Sequence, residues 1–434
     1  MNWHQPVSLN LNVRGLGRSA TLAISEKVRA LRGSGQHVYD MGLGQSPFPV
    51  PTPVVEALRA AAAEKDYLPV QGLPALREAV AEFHQRKDLV NVSAERVLIG
   101  PGSKELMFLL QLVYYGEIVI TPPCWVSYLP QARIIGRKVS LIQTASAAEW
   151  RVTPEQLEQA FEMVHDDLRP RLLVLNYPSN PVGTTFDADE LQRIADVCRR
   201  FQVVVLSDEI YGGLHFTGEH VSIARFYPER TIISSGLSKW CGAGGWRLGT
   251  FAFPPELEWL LDAMAAVASE TYTSVSAPIQ HAGVTAFRGD VEVERYLWHA
   301  RRILARLGRE CAQILLAAGL NVPMPTGAFY LFVDFGAFSG QLAERGIRDG
   351  TGLCHRLLEE VGVAALPGVA FGRSRAELTA RLALVDFDGA LALAASENVP
   401  LDSDLPADFT ERWCSQVLEG ARRIAEWATG ASAG

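Results

Sequence analysis

Ser234-Ser-Gly-Leu-Ser-Lys-Trp-Cys-Gly-Ala-Gly-Gly-Trp-Arg-Leu-Gly249 is the stretch on which the reading of this 434-residue chain turns. It sets Lys239 among glycines and small polar residues, with Arg247 eight positions further on and Leu206-Ser-Asp-Glu-Ile-Tyr211 upstream. Taken singly, each element has a plain structural reading. Lysine in a Ser/Gly-rich segment is ordinarily a solvated loop residue, and an acidic pair after an apolar run ordinarily caps a helix. Together they supply an amine, a carboxylate, a phenol and a planar cation in one order, which is a chemical set rather than a folding signal.

That set is what pyridoxal phosphate requires of a protein. A lysine forms a Schiff base with the cofactor's aldehyde, so an incoming amino acid exchanges imines instead of attacking a free carbonyl. Lys239 is the candidate, and once displaced it is placed to move the proton. The pyridine nitrogen must stay protonated if the ring is to absorb the charge left at the substrate's Cα, and a carboxylate beside it favours the charged form. Asp208 is assigned there. A phenol and an amide donating to the ring's 3-oxygen stabilise its anion, as expected of Tyr211 and Asn180. Arg247 offers the phosphate a bidentate fork that a lysine lacks.

Read in order, Asn176-Tyr-Pro-Ser-Asn-Pro-Val-Gly-Thr184, Asp208-x-x-Tyr211, Ser238-Lys239 and Gly245-Trp-Arg-Leu-Gly249 resemble the aspartate aminotransferase superfamily of fold type I, classes I and II. Ser19-Ala-Thr-Leu-Ala-Ile24, Tyr67 with Gly72-Leu-Pro-Ala-Leu-Arg77, Gly102-Ser-Lys104, Pro123-Cys-Trp-Val-Ser-Tyr128, Gly327-Ala-Phe-Tyr330 and Leu366-Pro-Gly368 extend the resemblance as far as Arg381.

The resemblance implies further roles. Gly102-Ser103-Lys104 falls at a strand-to-helix turn, where unpartnered N–H groups and the helix dipole suit a phosphate, and in the family register it binds that of the cofactor. Trp125 resembles the aromatic that stacks on the pyridine face, against the usual role of packing. Arg381 resembles the arginine that clamps the substrate's α-carboxylate. Asn180 and the backbone of Gly44 are expected beside it, although a plain turn glycine serves as well at position 44. Tyr67 resembles a tyrosine that reaches across a two-fold interface to the neighbouring subunit's phosphate, implying a homodimer with shared active sites.

The implied activity moves an amino group between an α-amino acid and a 2-keto acid. Fold-type-I lyases and amino-acid oxidases use the same lysine, and a non-catalytic cofactor-binding sensor keeps the same fold. The chain also departs from the family pattern. Gly236 stands where many relatives carry a phosphate-contacting serine, leaving Ser235 and Ser238 as substitutes, and the loop 240–245 is unusually rich in glycine. Beyond Arg381 the chain takes a longer route, through 385–408, to a last helix read over 409–429. No second arginine is assigned to a side-chain carboxylate, and Phe48, Tyr67, Trp125 and Tyr128 equally suit a neutral or aromatic substrate.

Composition fits a soluble enzyme. With 48% apolar residues the chain can bury a large core and form more than one domain. A net charge of −8 gives no electrostatic footprint for nucleic acid or an anionic membrane. Six scattered cysteines carry neither a zinc spacing nor a disulfide framework. Met1-Asn-Trp-His-Gln-Pro6 lacks the marks of a signal peptide, and no apolar run approaches the ~18 residues that span a bilayer. Cytoplasmic location is the expectation.

Apolar runs at 97–100, 117–121, 172–176, 203–207, 231–234 and 249–253 read as buried strands, and 104–115, 154–164 and 188–201 as helices between them. The alternation predicts an α/β layered domain with a largely parallel sheet. Asn176, Ser207-Asp208 and Ser234 fall at carboxyl ends of strands, where ligands of such sheets bind. The family resemblance places this large domain at 48–295. A smaller α+β domain is expected from 1–47 with 296–434, and the helical stretch near 296–318 bridges the two.

Overall fold

The six apolar runs become strands of one sheet. The computed structural model of the chain describes residues 9–163 and 170–430, so Val164, read as a helix end, lies outside the described residues. The strands are β1 (Val97–Gly100), β2 (Glu117–Ile120), β3 (Val139–Leu141), β4 (Arg171–Asn176), β5 (Val204–Asp208), β6 (Thr231–Gly236) and β7 (Gly249–Ala252). Strand β3 is the addition. It is a three-residue edge strand, none of it buried, so its composition carries no core signal.

The sheet order is β1-β7-β6-β5-β4-β2-β3. Strands β2 to β6 pair in parallel, while β7 runs antiparallel to both neighbours. Successive residues of each strand face opposite sides. Leu172, Val204, Leu206 and Ile232 pack on one side with Leu106, Leu110, Leu260 and Met264 from the helices Ser103–Val113 and Glu258–Ser269. Leu173, Leu175 and Val205 pack on the other with Leu157, Leu191 and Ile194 from the helices Pro154–Glu162 and Ala188–Arg200. Double coverage explains the near-continuous Val/Ile/Leu runs. The helix at 188 starts where the sequence allows it: Asp187 accepts from the Glu190 N–H at 2.7 Å and Glu190 accepts in return at 3.0 Å.

A second, three-stranded antiparallel sheet is drawn from β8 (Tyr330–Asp334), β9 (Leu366–Pro367) and β10 (Thr379–Ala383), with β10 in the middle. Between the two sheets in sequence runs the 27-residue helix Val291–Ala317, whose first turn is capped by the Asp290 carboxylate on the Val293 N–H at 2.8 Å. It packs against the turn Gly212–Leu214, β8, and the helices Gly389–Glu397 and Ser415–Thr429. Part of the route 385–408 is thus a helix of its own. The last helix differs from the reading over 409–429: Phe409–Trp413 and Ser415–Thr429 are separate helices, broken at Cys414 with φ −129° and ψ 23°. The break leaves Cys414 fully buried. Among the described residues no helix is long and apolar enough to cross a membrane.

Candidate active site

Parallel register aligns the first elements of the site. Asn176 on β4 is paired with Asp208 on β5, and Asp208 with Ser234 on β6, so three polar residues stand side by side at the carboxyl edge of the sheet. Asn176 and Asp208 border a cavity of about 440 Å³, with Ser234 behind them on Asp208. Into it also face Gly44, Ser103, Lys104, Trp125, Asn180, Tyr211, Ser238, Lys239 and Arg247. Segments spread over two hundred residues of sequence therefore line one cavity.

Lys239 is partly open to this cavity. Its Nζ donates to the Gly44 carbonyl at 2.8 Å and lies 5.4 and 5.7 Å from the Tyr211 and Phe329 ring centroids. Loss of hydration, then the positive charge of Arg381, pulls its amine down to about 8 against the opposing pull of Asp208. An amine so poised is a nucleophile near neutral pH. Asp208 is buried. Tyr128 donates to Oδ2 and Ser234 to Oδ1, yet burial outweighs both and lifts the carboxyl to about 6. A carboxylate kept at that cost calls for a cation opposite it.

The phosphate turn is equally built. Gly102, with φ +87°, is the N-cap of the helix Ser103–Val113, and a Cβ there would meet the Arg247 guanidinium at 2.1 Å. The left-handed φ favours glycine there, and a larger residue would also displace the Arg247 head. Arg247 itself has φ +57° and donates to the Gly244 carbonyl at 2.9 Å and to that of Pro101 at 3.3 Å, which fixes its head against the turn. Lys104 projects over the Trp125 ring, its Nζ 5.1 Å from the centroid. Burial and then Arg247 lower its pKa. Trp125 is half-buried and meets Tyr128 edge-on at 5.3 Å.

Arg381, on the middle strand β10, is 1% exposed. Its guanidinium donates to the Gly42 carbonyl and reaches Asn180 Oδ1 at 3.4 Å. Its Nε has no hydrogen-bond partner, and no carboxylate forms an ion pair with it among the described residues. A buried guanidinium in that condition is set for an anion. These residues fit pyridoxal phosphate. A helix N-terminus with an arginine suits a phosphate, a buried carboxylate suits a pyridinium, and an amine of lowered pKa faces the same cavity.

The placing of two aromatics is corrected. Tyr128 and Phe48 are not substrate-facing aromatics. Tyr128 is buried on Asp208, and Phe48 packs edge-on against Tyr296 and Phe387. Tyr67 is 90% exposed and does not face the cavity within one chain. Residues without a prior role enter instead: Leu22, from the helix Ala20–Gly33, lines the cavity, and Tyr330 hydrogen-bonds Tyr211. Tyr330 was visible only as part of Gly327-Ala-Phe-Tyr330. The described residues also hold one buried group of metal-ligand type, Asp88, Glu209 and His220. Its carboxylates already have histidine partners, His220 Nε2 at 2.8 Å from Glu209 Oε2 and His84 Nδ1 at 2.7 Å from Asp88 Oδ2.

Comparison with known proteins agrees with this geometry. The family model for aminotransferase class I and II matches residues 36–384. The aspartate aminotransferase of Geobacillus stearothermophilus is 32% identical over 84% of this chain and 92% of its own. The aspartate/prephenate aminotransferase of Thermus thermophilus is 33% identical over 85% and 93%. Among solved structures, the Rhizobium meliloti aspartate aminotransferase superposes with a TM-score of 0.81 at 28% identity, covering 98% of both chains. A Thermus thermophilus aspartate aminotransferase with maleate superposes at 0.80 and 29%, covering 96% of this chain and 99% of that one. The chain belongs to the class I and II aminotransferase family.

Proposed function

We propose that this aminotransferase carries pyridoxal phosphate on Lys239 and takes the amino group of an α-amino acid gripped at its carboxylate by Arg381. Bound there, the cofactor supplies an electron sink for the charge that develops at Cα. The observation that carries the reading is Arg381, buried without a carboxylate partner within reach of the Lys239 cavity through Asn180 and Tyr330. Asp208 holds the ring nitrogen's proton, Tyr211 and Asn180 donate to the ring oxygen, and Trp125 covers the ring. The Gly102–Ser103 backbone, Ser238 and Arg247 take the phosphate. Lys239 moves the proton from Cα.

Lys104 supports a narrower substrate class. Its ammonium forms no ion pair among the described residues and lies over Trp125, so one cation remains after the phosphate and the α-carboxylate are matched. A substrate with an acidic side chain fits it, in keeping with relatives named aspartate aminotransferases. The exposed Tyr67 supports a homodimer with shared sites, and the helix Val291–Ala317 supports a division into a domain of 48–295 and one of 1–47 with 296–434. A cytoplasmic location is consistent with buried, unpaired cysteines.

An assay with each amino acid and a 2-keto acid acceptor tests the reading. Keto-acid-dependent turnover, fastest with aspartate or glutamate and losing that preference in Lys104→Met, is the expected result. Ammonia release without an acceptor would favour a lyase.

A further inference from the structure

Tyr211 and Tyr330 place their hydroxyl oxygens 2.7 Å apart, both fully buried, with rings crossed at 78°. Each phenol has one hydrogen to give. Resting on the reading above, Tyr211 gives its hydrogen to the ring oxygen of the cofactor. The pair then has a fixed direction: Tyr330 must donate to Tyr211. The other surroundings of Tyr330 hold it in that task. The Arg381 guanidinium lies 4.8 Å from its ring centroid, and a Cβ on Gly44 would fall 2.0 Å from its hydroxyl oxygen, so that glycine makes the room. Tyr330 opens β8 opposite Ala383, two residues along from Arg381.

We propose that Tyr330 is a positioning residue of the transamination site, one that orients and strengthens Tyr211 as a donor to the cofactor and joins it to the carboxylate clamp. Hydrogen bonds in series polarise one another, so a donor behind Tyr211 makes Tyr211 the stronger acid toward the ring oxygen. Electron density drawn to Tyr211 is withheld from the neighbouring Schiff-base N–H, and the nitrogen gives up its proton at lower pH. Arg381 acts in the same sense, since its charge favours the anionic form of both phenols. The charged or titratable groups acting on Lys239 are Arg381, Asp208, Arg247 and Lys104. Of these, Arg381 and Asp208 also act on Tyr211, alongside Tyr330 itself.

The test is a pH titration of the visible absorbance of the protein loaded with pyridoxal phosphate. Tyr330→Phe keeps the ring and removes the hydrogen. It is expected to raise the midpoint by about 0.5–1 pH unit, the scale of one hydrogen bond to a group gaining charge, with cofactor affinity within about threefold of wild type. In a Tyr211→Phe background the same substitution is expected to shift nothing, because the path to the cofactor is already cut. Incorporating 3-fluorotyrosine at position 330, a stronger donor, is expected to lower the midpoint and provides the test if Tyr330→Phe loads poorly. No shift in the wild-type background, or an equal shift without the Tyr211 hydroxyl, overturns the inference. A wild-type protein that gives no visible band fails the cofactor assignment and takes the inference with it. A normal band lacking these shifts overturns the inference alone.

Discussion

Tyr128 donates its phenolic hydrogen to Oδ2 of Asp208 across 2.5 Å, from a helix that begins at Tyr128 itself. The two residues are eighty apart in sequence, and the contact sets the carboxylate's plane beneath the cavity. Tyr128 favours the ionised form of Asp208, but burial wins and the carboxyl titrates near 6. The folded protein therefore spends stability to keep an anion ready.

Asp208→Asn is expected to stabilise the cofactor-free protein at pH 7.5 and to do little at pH 4.5. The sign follows from the pKa: a carboxyl at about 6 in the fold against 3.8 as its ordinary value binds extra protons when folded, so stability falls as pH rises through that window. Two units correspond to about 3 kcal/mol at most. Urea unfolding at the two pH values measures it, and turnover should fall severely in the same variant. Equal stability changes at both pH values would show that Asp208 is not held ionised against burial.

The rate at which the cofactor-free protein takes up pyridoxal phosphate is expected to rise from pH 6.5 to about 8 and then level off, because Lys239 loses its proton near 8. Arg381→Met removes one of the cations that depress it, so the plateau should move to higher pH. Stopped-flow absorbance checks both. A rate still climbing toward pH 10 would mean that Lys239 is not depressed.

Arg381→Met is expected to lower kcat/KM for the amino acid by roughly 10²–10³-fold, the loss of a charge-assisted bidentate grip. Cofactor affinity should hardly change. Stability should stay within about 1 kcal/mol of wild type, since a buried guanidinium without a carboxylate gains little from the fold. Paired kinetics and unfolding separate this from a general packing defect, which would lower all three.

The sheet and most of the site were legible because they are written in local signals. Uninterrupted apolar runs marked six strands, and Lys239, Asp208 and Arg247 each carry a residue type that its chemistry demands. What escaped depends on contacts distant in sequence. Tyr128 reads as one aromatic among several until the fold turns its hydroxyl onto Asp208. Tyr330 sits in an apolar strand whose pattern conceals a hydroxyl meeting Tyr211 from 119 residues away. Strand β3 has no buried residue to announce it. The break at Cys414 is hidden because the residues around it keep good helical composition while the fold buries the turn.

Mixing subunits tests the shared site. Tyr67→Ala and Lys239→Ala, each inactive alone, are combined and allowed to exchange. Under closed two-fold symmetry both defects fall in one site of a heterodimer and the other is intact. Up to about half of a wild-type dimer's activity should return. Verified heterodimers without recovery would place Tyr67 in its own subunit's structure, and a fully active monomer would remove the need for a partner.

The assignment of Lys239 is the centre of the account, and borohydride reduction of the loaded protein followed by peptide mapping tests it most directly. Lys104 is the other lysine facing the cavity among the described residues, so the two candidates are resolved by sequence position. The account predicts bleaching of the visible band and one modified peptide, bearing the reduced cofactor on Lys239, with no attachment in Lys239→Ala. Reduced cofactor on Lys104, or on any lysine outside Ser234–Gly249, would contradict it.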